Sequence, residues 1–151
     1  MTFSNKNPVV VAGSGIAGMT VALEAAETGA RVVMIERESF IGGRVLRMHK
    51  YFPKLCSPLC GMEINTRRLK ANLNIRIITL AEIESVSGEK GNFEVKITKK
   101  PRFINDFCTA CDKCVAVCPE ERNDLFNISL KKTKAIYLPH SHAFPMQYAI
   151  D

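Results

Sequence analysis

The 151-residue sequence lacks an uninterrupted apolar run of about 18 residues, the length a membrane-spanning helix needs. Its first seven residues contain no apolar core of a secretory signal, which favours a cytoplasmic protein. The sequence also has no Ser-His-Asp set, no paired carboxylates and no P-loop lysine motif. We therefore assign no side chain as a catalytic acid or base and expect chemistry to rest on bound cofactors.

A basic stripe interleaved with aromatic residues is missing as well. The net charge is +6, but the basic residues are spread out in pairs such as Arg67-Arg68, Lys99-Lys100 and Lys131-Lys132. Such scattered charges are more typical of solvated faces than of a surface that binds nucleic acid. We therefore expect no nucleic-acid partner.

The most informative stretch that is present runs from Pro8 to Glu36. It opens with Val9–Ala12, a short β-branched run typical of a strand buried on both faces. Three glycines then follow in G-x-G-x-x-G spacing: Gly13, Gly15 and Gly18. The next residues, Ile16 to Glu27, predict a helix. Its apolar side chains at helical spacing are Met19, Ala22, Leu23 and Ala26.

After this helix comes a second strand that ends on an acid. Gly29 suits the end of the helix, Arg31 to Ile35 predicts a buried strand, and Glu36 closes it. In a dinucleotide site, the pyrophosphate lies on the amides at the helix start, here Ile16 and Ala17. An acid at the end of the second strand accepts hydrogen bonds from ribose hydroxyls and repels a 2′-phosphate. The stretch therefore predicts a site for FAD or NAD rather than NADP.

A second glycine motif, Gly42-Gly43-Arg44, follows shortly after this strand. With the first motif it resembles the FAD-binding start of flavoproteins that have two dinucleotide-binding domains. This resemblance favours FAD over NAD and implies that Arg44 lies near the flavin nucleotide. The candidate cofactor-binding residues are Gly13, Gly15, Ile16, Ala17, Gly18, Glu36, Arg37, Gly42, Gly43 and Arg44.

The middle of the chain contains two cysteines in a proline-rich stretch, Met48 to Gly61, which we expect to be a loop. Cys56 and Cys60 are either two small buried apolar residues, a redox pair or ligands of a metal cluster. A helix over Met62–Ala71 is predicted next. Its inward residues are predicted to be Met62, Ile64 and Leu69. A strand over Ile75–Leu80 and a β-hairpin follow, with the hairpin strands at 83–87 and 93–97.

Four cysteines near residue 110 form the run C-x2-C-x2-C-x3-C-P of bacterial ferredoxins: Cys108, Cys111, Cys114 and Cys118, followed by Pro119. Structural zinc more often uses two separated C-x2-C pairs, so we favour an iron–sulfur cluster over zinc or disulfides. In ferredoxins with two clusters, the fourth cysteine of this run binds the other cluster. The six cysteines of this chain suffice for one complete [4Fe–4S] cluster. The fourth ligand is then Cys118, Cys56 or Cys60.

Both motifs together resemble the heterodisulfide reductase A-subunit family over essentially the whole chain. The segments that carry the resemblance are Gly13–Met19, Ile41–Arg44, Tyr51–Gly61, Gly91–Phe93, Cys108–Pro119 and Ala135–Pro139. The resemblance implies an FAD-containing iron–sulfur protein that works with other reductase subunits, and it favours Cys56 and Cys60 as cluster ligands. Members of that family are longer, so the chain is expected to be a fragment or a truncated relative.

The expected fold is α/β, with a partial Rossmann-like FAD-binding domain, a β-hairpin and a ferredoxin-like 4Fe-4S segment. We expect the incomplete FAD domain at 1–100, the iron–sulfur segment at 101–135, and a tail or returning strand of the FAD domain at 136–151. The expected function is electron transfer between flavin and cluster, with other complex subunits and an electron carrier protein as partners. Two alternatives are a flavin-free iron–sulfur relay module and the small subunit of an NAD(P)H-oxidising flavoenzyme. In relatives of the latter kind the cysteine run usually precedes the FAD motif, whereas here it follows.

Overall fold

The computed structural model describes residues 8–151, which form two compact units, 8–100 and 101–151. The first unit contains a parallel three-stranded sheet with helices between its strands. The second unit contains the cysteine run and two short antiparallel strand pairs. No helix among residues 8–151 combines the length and the apolarity needed to cross a membrane.

The parallel sheet is built from two consecutive strand–helix–strand connections. Strand β1 (Val9–Ala12) leads into helix α1 (Ile16–Glu27) and then into strand β2 (Val32–Ile35). Helix α2 (Leu59–Ala71) precedes strand β3 (Ile75–Ile78), and the strand order is β1-β2-β3. Parallel strands need such crossover connections, which are usually helical, because the end of one strand and the start of the next lie at opposite edges of the sheet. The predicted α/β class is confirmed.

The core of this unit lies between α1 and the sheet. Met19 and Leu23 of α1 and Met34 of β2 have almost no solvent exposure. The helical face predicted from the sequence is confirmed, because all four of its apolar residues are buried. The 3.6-residue period therefore identified the packing face of α1 correctly.

The prediction that β1 is buried on both faces is wrong. Val9 and Val10 are 42% and 38% exposed, and only Val11 of this strand is buried. The reason is its position in the sheet: within residues 8–151, β1 pairs with a strand on its β2 side alone. A β-branched run predicts a strand but does not reveal which neighbours that strand has.

Helix α2 begins earlier than predicted. It starts at Leu59, directly after Pro58, whose φ of −62° fits the first turn of a helix. Met62 and Leu69 are buried as predicted, but Ile64 is 61% exposed, so its predicted inward position is wrong. The predicted loop therefore ends before Cys60, which lies in the first turn of α2.

The predicted β-hairpin is confirmed and is longer than expected. Strand β4 (Ala81–Glu89) pairs with strand β5 (Asn92–Lys99) in antiparallel register. An irregularity between Ile83 and Ser85 shifts the register by one residue, as a β-bulge does. This hairpin completes the first unit.

The second unit is built from short elements around the cysteine run. Helix α3 covers Lys113–Val117, and strands β6 (Glu121–Asn123) and β7 (Lys132–Lys134) form one antiparallel pair. Strands β8 (Ile136–Tyr137) and β9 (Ala149–Ile150) form the other pair. The segment 136–151, expected as a tail or strand of the FAD domain, lies in this second unit.

Candidate functional site

The glycine-rich turn after β1 has the backbone geometry that the motif requires. Gly13 has a φ of +87°, and its N–H donates a hydrogen bond to the carbonyl of Ile35 at 2.8 Å. A Cβ atom on Gly18 would overlap the carbonyl oxygen of Gly13, so α1 passes close to the turn only because residue 18 has no side chain. Above Gly15, a Cβ atom would meet nothing within 4 Å. The turn thus leaves open space at the start of α1.

The second glycine pair lies against this turn. The N–H of Gly42 donates to the carbonyl of Ser14 at 2.9 Å. A Cβ atom on Gly43 would lie 3.2 Å from the Cα of Gly15, and both Gly42 and Gly43 have positive φ. The structure therefore brings together the two glycine motifs that the sequence analysis singled out.

The start of α1 is suited to an anion. Ile16 and Ala17 form its first turn. Within the described residues, no side chain caps this helix, and its first turn contains no acid. The N–H groups of a helix start carry partial positive charge and bind phosphate well. The first turn of α1 is thus available to a pyrophosphate group.

Glu36 is held by the glycine turn itself. Its side chain is buried, with 7% of the residue exposed. One carboxylate oxygen accepts from both the backbone N–H and the hydroxyl of Ser14, and the other accepts from the N–H of Glu38 at 2.8 Å. A carboxylate has about four lone-pair sites, so about one remains for a ribose hydroxyl. Glu36 therefore stabilises the turn in addition to its predicted role.

Sequence reasoning missed Ser14, which is completely buried. The sequence contained only a partial signal, a hydroxyl residue inside the G-x-G turn, and the contact of that residue with Glu36 depends on how the strands pair. The two side chains meet because β1 and β2 are parallel and in register, with Ala12 opposite Ile35. Ser14 is thus part of the candidate site.

Ser14→Ala is expected to lower the free energy of unfolding by about 1–3 kcal/mol, the range for losing a buried hydrogen bond to a charged group. Chemical denaturation measures this change. Ser87→Ala, on the exposed hairpin strand β4, is the control and is expected to change little. Equal stability of the two variants would show that the hydroxyl of Ser14 does not hold Glu36.

The two arginines of the candidate set lie on either side of the second glycine pair in the sequence. Arg37 lies two residues after the end of β2 and forms an exposed ion pair with Glu38 at 3.6 Å. Arg44 opens a short 3-10 helix, Arg44–Arg47, immediately after Gly43. Both are therefore attached to the segments that form the glycine site.

Cys56 and Cys60 share a tyrosine neighbour. The backbone N–H of Tyr51 donates to the carbonyl of Cys56 at 3.2 Å. The hydrogen bond of the Tyr51 hydroxyl with the Cys56 side chain raises the pKa of Tyr51, and charge on Cys56 and Cys60 acts in the same direction. Cys56 is half-buried and Cys60 is exposed, which argues against the interpretation as two buried apolar residues. The redox and cluster interpretations stay open.

The cysteine loop, residues 108–118, turns sharply between its cysteines. Ala110 and Asp112 have φ values of +53° and +63°, and Cys114 lies in α3. Hydrogen bonds from the Lys113 N–H and the Thr109 hydroxyl lower the pKa of Cys111. This environment favours the thiolate, the form that binds iron. The donor chemistry of the loop therefore fits an iron–sulfur cluster.

The cysteine thiols among the described residues do not form a compact metal-binding group. The six cysteines, all within the described residues, carry free thiols. Among residues 8–151, no three His, Cys, Asp or Glu side chains come together closely enough to hold a metal ion. Since metal binding commonly orders its own ligands, the thiols must draw together when a cluster forms. The cluster assignment stays a prediction.

Comparison with known proteins identifies related sequences. The family of FAD dependent oxidoreductases matches residues 8–70. The chain is 41% identical over 150 residues to iron-sulfur A-subunit 1 of the CoB–CoM heterodisulfide reductase of Methanopyrus kandleri, covering 97% of this chain and 22% of that protein. It is 41% identical over 143 residues to the A-subunit of the H(2):CoB-CoM heterodisulfide,ferredoxin reductase of Methanothermobacter thermautotrophicus, covering 94% of this chain and 22% of that protein.

One solved structure supports the fold. L-proline dehydrogenase from P. horikoshii superposes with a TM-score of 0.51 at 23% identity, over 66% of this chain and 21% of that chain. At this identity the likeness concerns the fold alone. The chain spans about a fifth of the length of the curated relatives it matches. The resemblance predicted from the motifs is confirmed: over nearly its whole length, this chain is a sequence relative of the heterodisulfide reductase A-subunits.

Proposed function

We propose that this chain is an FAD- and [4Fe–4S]-containing electron-transfer subunit of a heterodisulfide reductase-like oxidoreductase complex. The observation that carries the proposal is the meeting of two glycine segments at the end of β1, beside the uncapped start of α1 and the buried Glu36. Ligands of parallel sheets bind at the carboxyl ends of the strands, which is where these groups lie.

The nucleotide part of FAD fits this edge of the sheet. Its pyrophosphate would lie on the first-turn amides of α1, above the open space at Gly15. A ribose hydroxyl would donate to the remaining lone pair of Glu36, and Arg44 would lie near the nucleotide. A side chain at position 15 would enter the open space proposed for the cofactor, and a side chain at position 43 would press against the backbone of Gly15.

The cluster would be held by Cys108, Cys111 and Cys114, with Cys118, Cys56 or Cys60 as the fourth ligand. The order of the chain supports three functional segments: FAD binding at 1–100, the iron–sulfur segment at 101–135, and the segment 136–151. When bound, the flavin supplies exchange of electrons in pairs and the cluster exchange of single electrons. The protein contributes placement, burial and hydrogen bonds.

The names of the relatives support a partner assignment. Each is named as one lettered subunit of a reductase, so we propose that this chain works beside other subunits of such a complex. An electron carrier protein is a second expected partner. The activity of the whole complex is part of this proposal, because the chain spans only about a fifth of those relatives.

A second candidate is an iron–sulfur relay that carries no flavin. The observation that favours it is the small size of the parallel sheet: within residues 8–151, β1 has a strand neighbour on one side only. A sheet of three strands surrounds a bound dinucleotide less completely than a larger one. The two candidates differ in one measurable property, the presence of flavin.

The test is the absorbance spectrum of the chain purified without oxygen, together with quantitation of flavin and iron. Flavin bands above a broad iron–sulfur absorption support the proposal. The broad absorption alone supports the relay. Colourless, iron-free protein contradicts both.

A further inference from the structure

One short segment near the end of the described chain binds both the cysteine loop and the residues just before it. The Gln147 side-chain amide donates to the carboxylate of Asp106 at 3.3 Å, two residues before Cys108. The Tyr148 hydroxyl donates to the carboxylate of Asp112, between Cys111 and Cys114. We call Gln147-Tyr148 the clamp.

The clamp is anchored in the second unit. Tyr148 is 3% exposed, and the next residue, Ala149, is 1% exposed and pairs with Tyr137 in the β8–β9 ladder. The N–H of Asp151 then donates to the carbonyl of Ala135 at 3.1 Å. The clamp therefore has a fixed position, and so do the groups that bind to it.

Arg102 is bound to the backbone of the clamp. Its guanidinium donates to the carbonyl oxygens of Gln147 and Tyr148, both at 3.4 Å, and the residue is half-buried. Arginine does not lose its proton in proteins. The permanent positive charge of Arg102 is therefore bound to the clamp, the same segment that binds Asp106 and Asp112.

The neighbourhood of Arg102 includes a predicted cluster ligand. Burial lowers the pKa of Arg102, and negative charge on Tyr137, Cys108 and Asp106 acts in the opposite direction. Through the clamp, Arg102 is joined to Asp106, two residues before Cys108, and to Asp112, the residue after Cys111. Arg102 and Cys108 both lie in the second unit, residues 101–151.

We propose that Arg102, fixed by the clamp beside the cysteine loop, raises the reduction potential of the cluster carried by that loop. This inference rests on the cluster of the proposed function. Reduction adds one negative charge to the cluster, and a nearby cation stabilises the reduced form, more strongly where water is partly excluded. Net charge and solvent exposure are among the properties that set cluster potentials.

The test is a redox titration of the full chain, purified without oxygen and followed by the EPR signal of the reduced cluster. The variants are Arg102→Gln, which removes the charge, and Arg102→Lys, which keeps it. Lys132→Gln is the matched control, because it removes an exposed positive charge from the same unit. Dithionite supplies the electron, so one electron enters each cluster and no other reactant is needed.

We expect Arg102→Gln to weaken electron uptake about three- to tenfold, where tenfold corresponds to a fall of about 59 mV for a one-electron couple. Arg102→Lys should stay nearer to the wild type, and Lys132→Gln should leave the potential unchanged. An equal potential in Arg102→Gln and Lys132→Gln overturns the inference and leaves the proposed function intact. Iron-free wild-type protein contradicts the proposed function itself.

A second variant decides the question if Arg102→Gln loses its iron. Asp106→Asn removes the exposed negative charge that offsets Arg102 and keeps an oxygen to accept from Gln147. The potential should rise, because one of the negative charges close to Arg102 and to the cysteine loop is then removed. An unchanged potential in Asp106→Asn overturns the inference.

Discussion

Replacing Cys111 and Cys114 together by serine is expected to remove essentially all iron from the protein, from about four atoms per chain to near zero. Serine hydroxyls ionise far less readily than thiols, and two missing thiolates leave too few ligands for a cube of four irons. Hydrogen bonds from the Lys113 N–H and the Thr109 hydroxyl also lower the pKa of the Cys111 thiol, which favours its metal-binding form. Iron and acid-labile sulfide, measured per chain after purification without oxygen, report the loss.

Single substitutions serve as controls and identify the fourth ligand. Cys118→Ser, Cys56→Ser and Cys60→Ser each remove one remaining candidate, and only the variant that lacks the true fourth ligand should lose the cluster. Flavin content should stay at the wild-type level in the double variant, because the proposed nucleotide site lies in the first unit and the cysteine run in the second. Full iron content in the Cys111/Cys114 double variant would refute the cluster assignment.

Gly18→Ala is expected to abolish flavin binding and to destabilise the first unit by about 1–3 kcal/mol or more, the range for overpacking a close contact. The added Cβ would overlap the carbonyl oxygen of Gly13, so either the turn or α1 must move. Moving either one displaces the amides on which the pyrophosphate would lie. Flavin content and chemical denaturation measure the two effects.

The matched control is Gly61→Ala, because both glycines lie inside helices. Gly61 is in α2, and a Cβ atom there would meet nothing within 4 Å. Alanine is the better helix former by about 1 kcal/mol, so this variant should be slightly more stable than the wild type and should keep its flavin. If the two variants behave alike, close packing at Gly18 is not what shapes the nucleotide site.

Features that depend on local sequence were predictable. The bounds of α1, its buried face and the conformation of Gly13 follow from the 3.6-residue period and from the freedom of glycine at positive φ. The β4–β5 hairpin likewise follows from alternation around a glycine turn. In each case the information lies within about a dozen residues of the feature.

Features that depend on tertiary contacts were not predictable. The exposure of Val9 and Val10 depends on which strands flank β1. The early start of α2 was missed for a local reason, because Pro58 was expected to bar regular structure although the first turn of a helix accepts proline. The Ser14–Glu36 contact depends on the register of two strands.

The contacts of the clamp were likewise not predictable from the sequence, because they join residues that are far apart along the chain. Tyr148 holds Asp112, 36 residues away in the sequence. Neither residue carries a recognisable motif of its own, so their contact becomes visible only once the second unit is folded. The sequence identified the candidate ligands and glycines, whereas the residues that position them came from the structure.

A reductive titration of the chain, purified without oxygen, tests the central claim most directly. We expect uptake of about three electrons per chain, two by the flavin and one by the cluster. The flavin bands and the cluster absorption should both bleach in the same sample. Uptake of about one electron without flavin bands would leave only the relay, and no uptake at all would contradict the account.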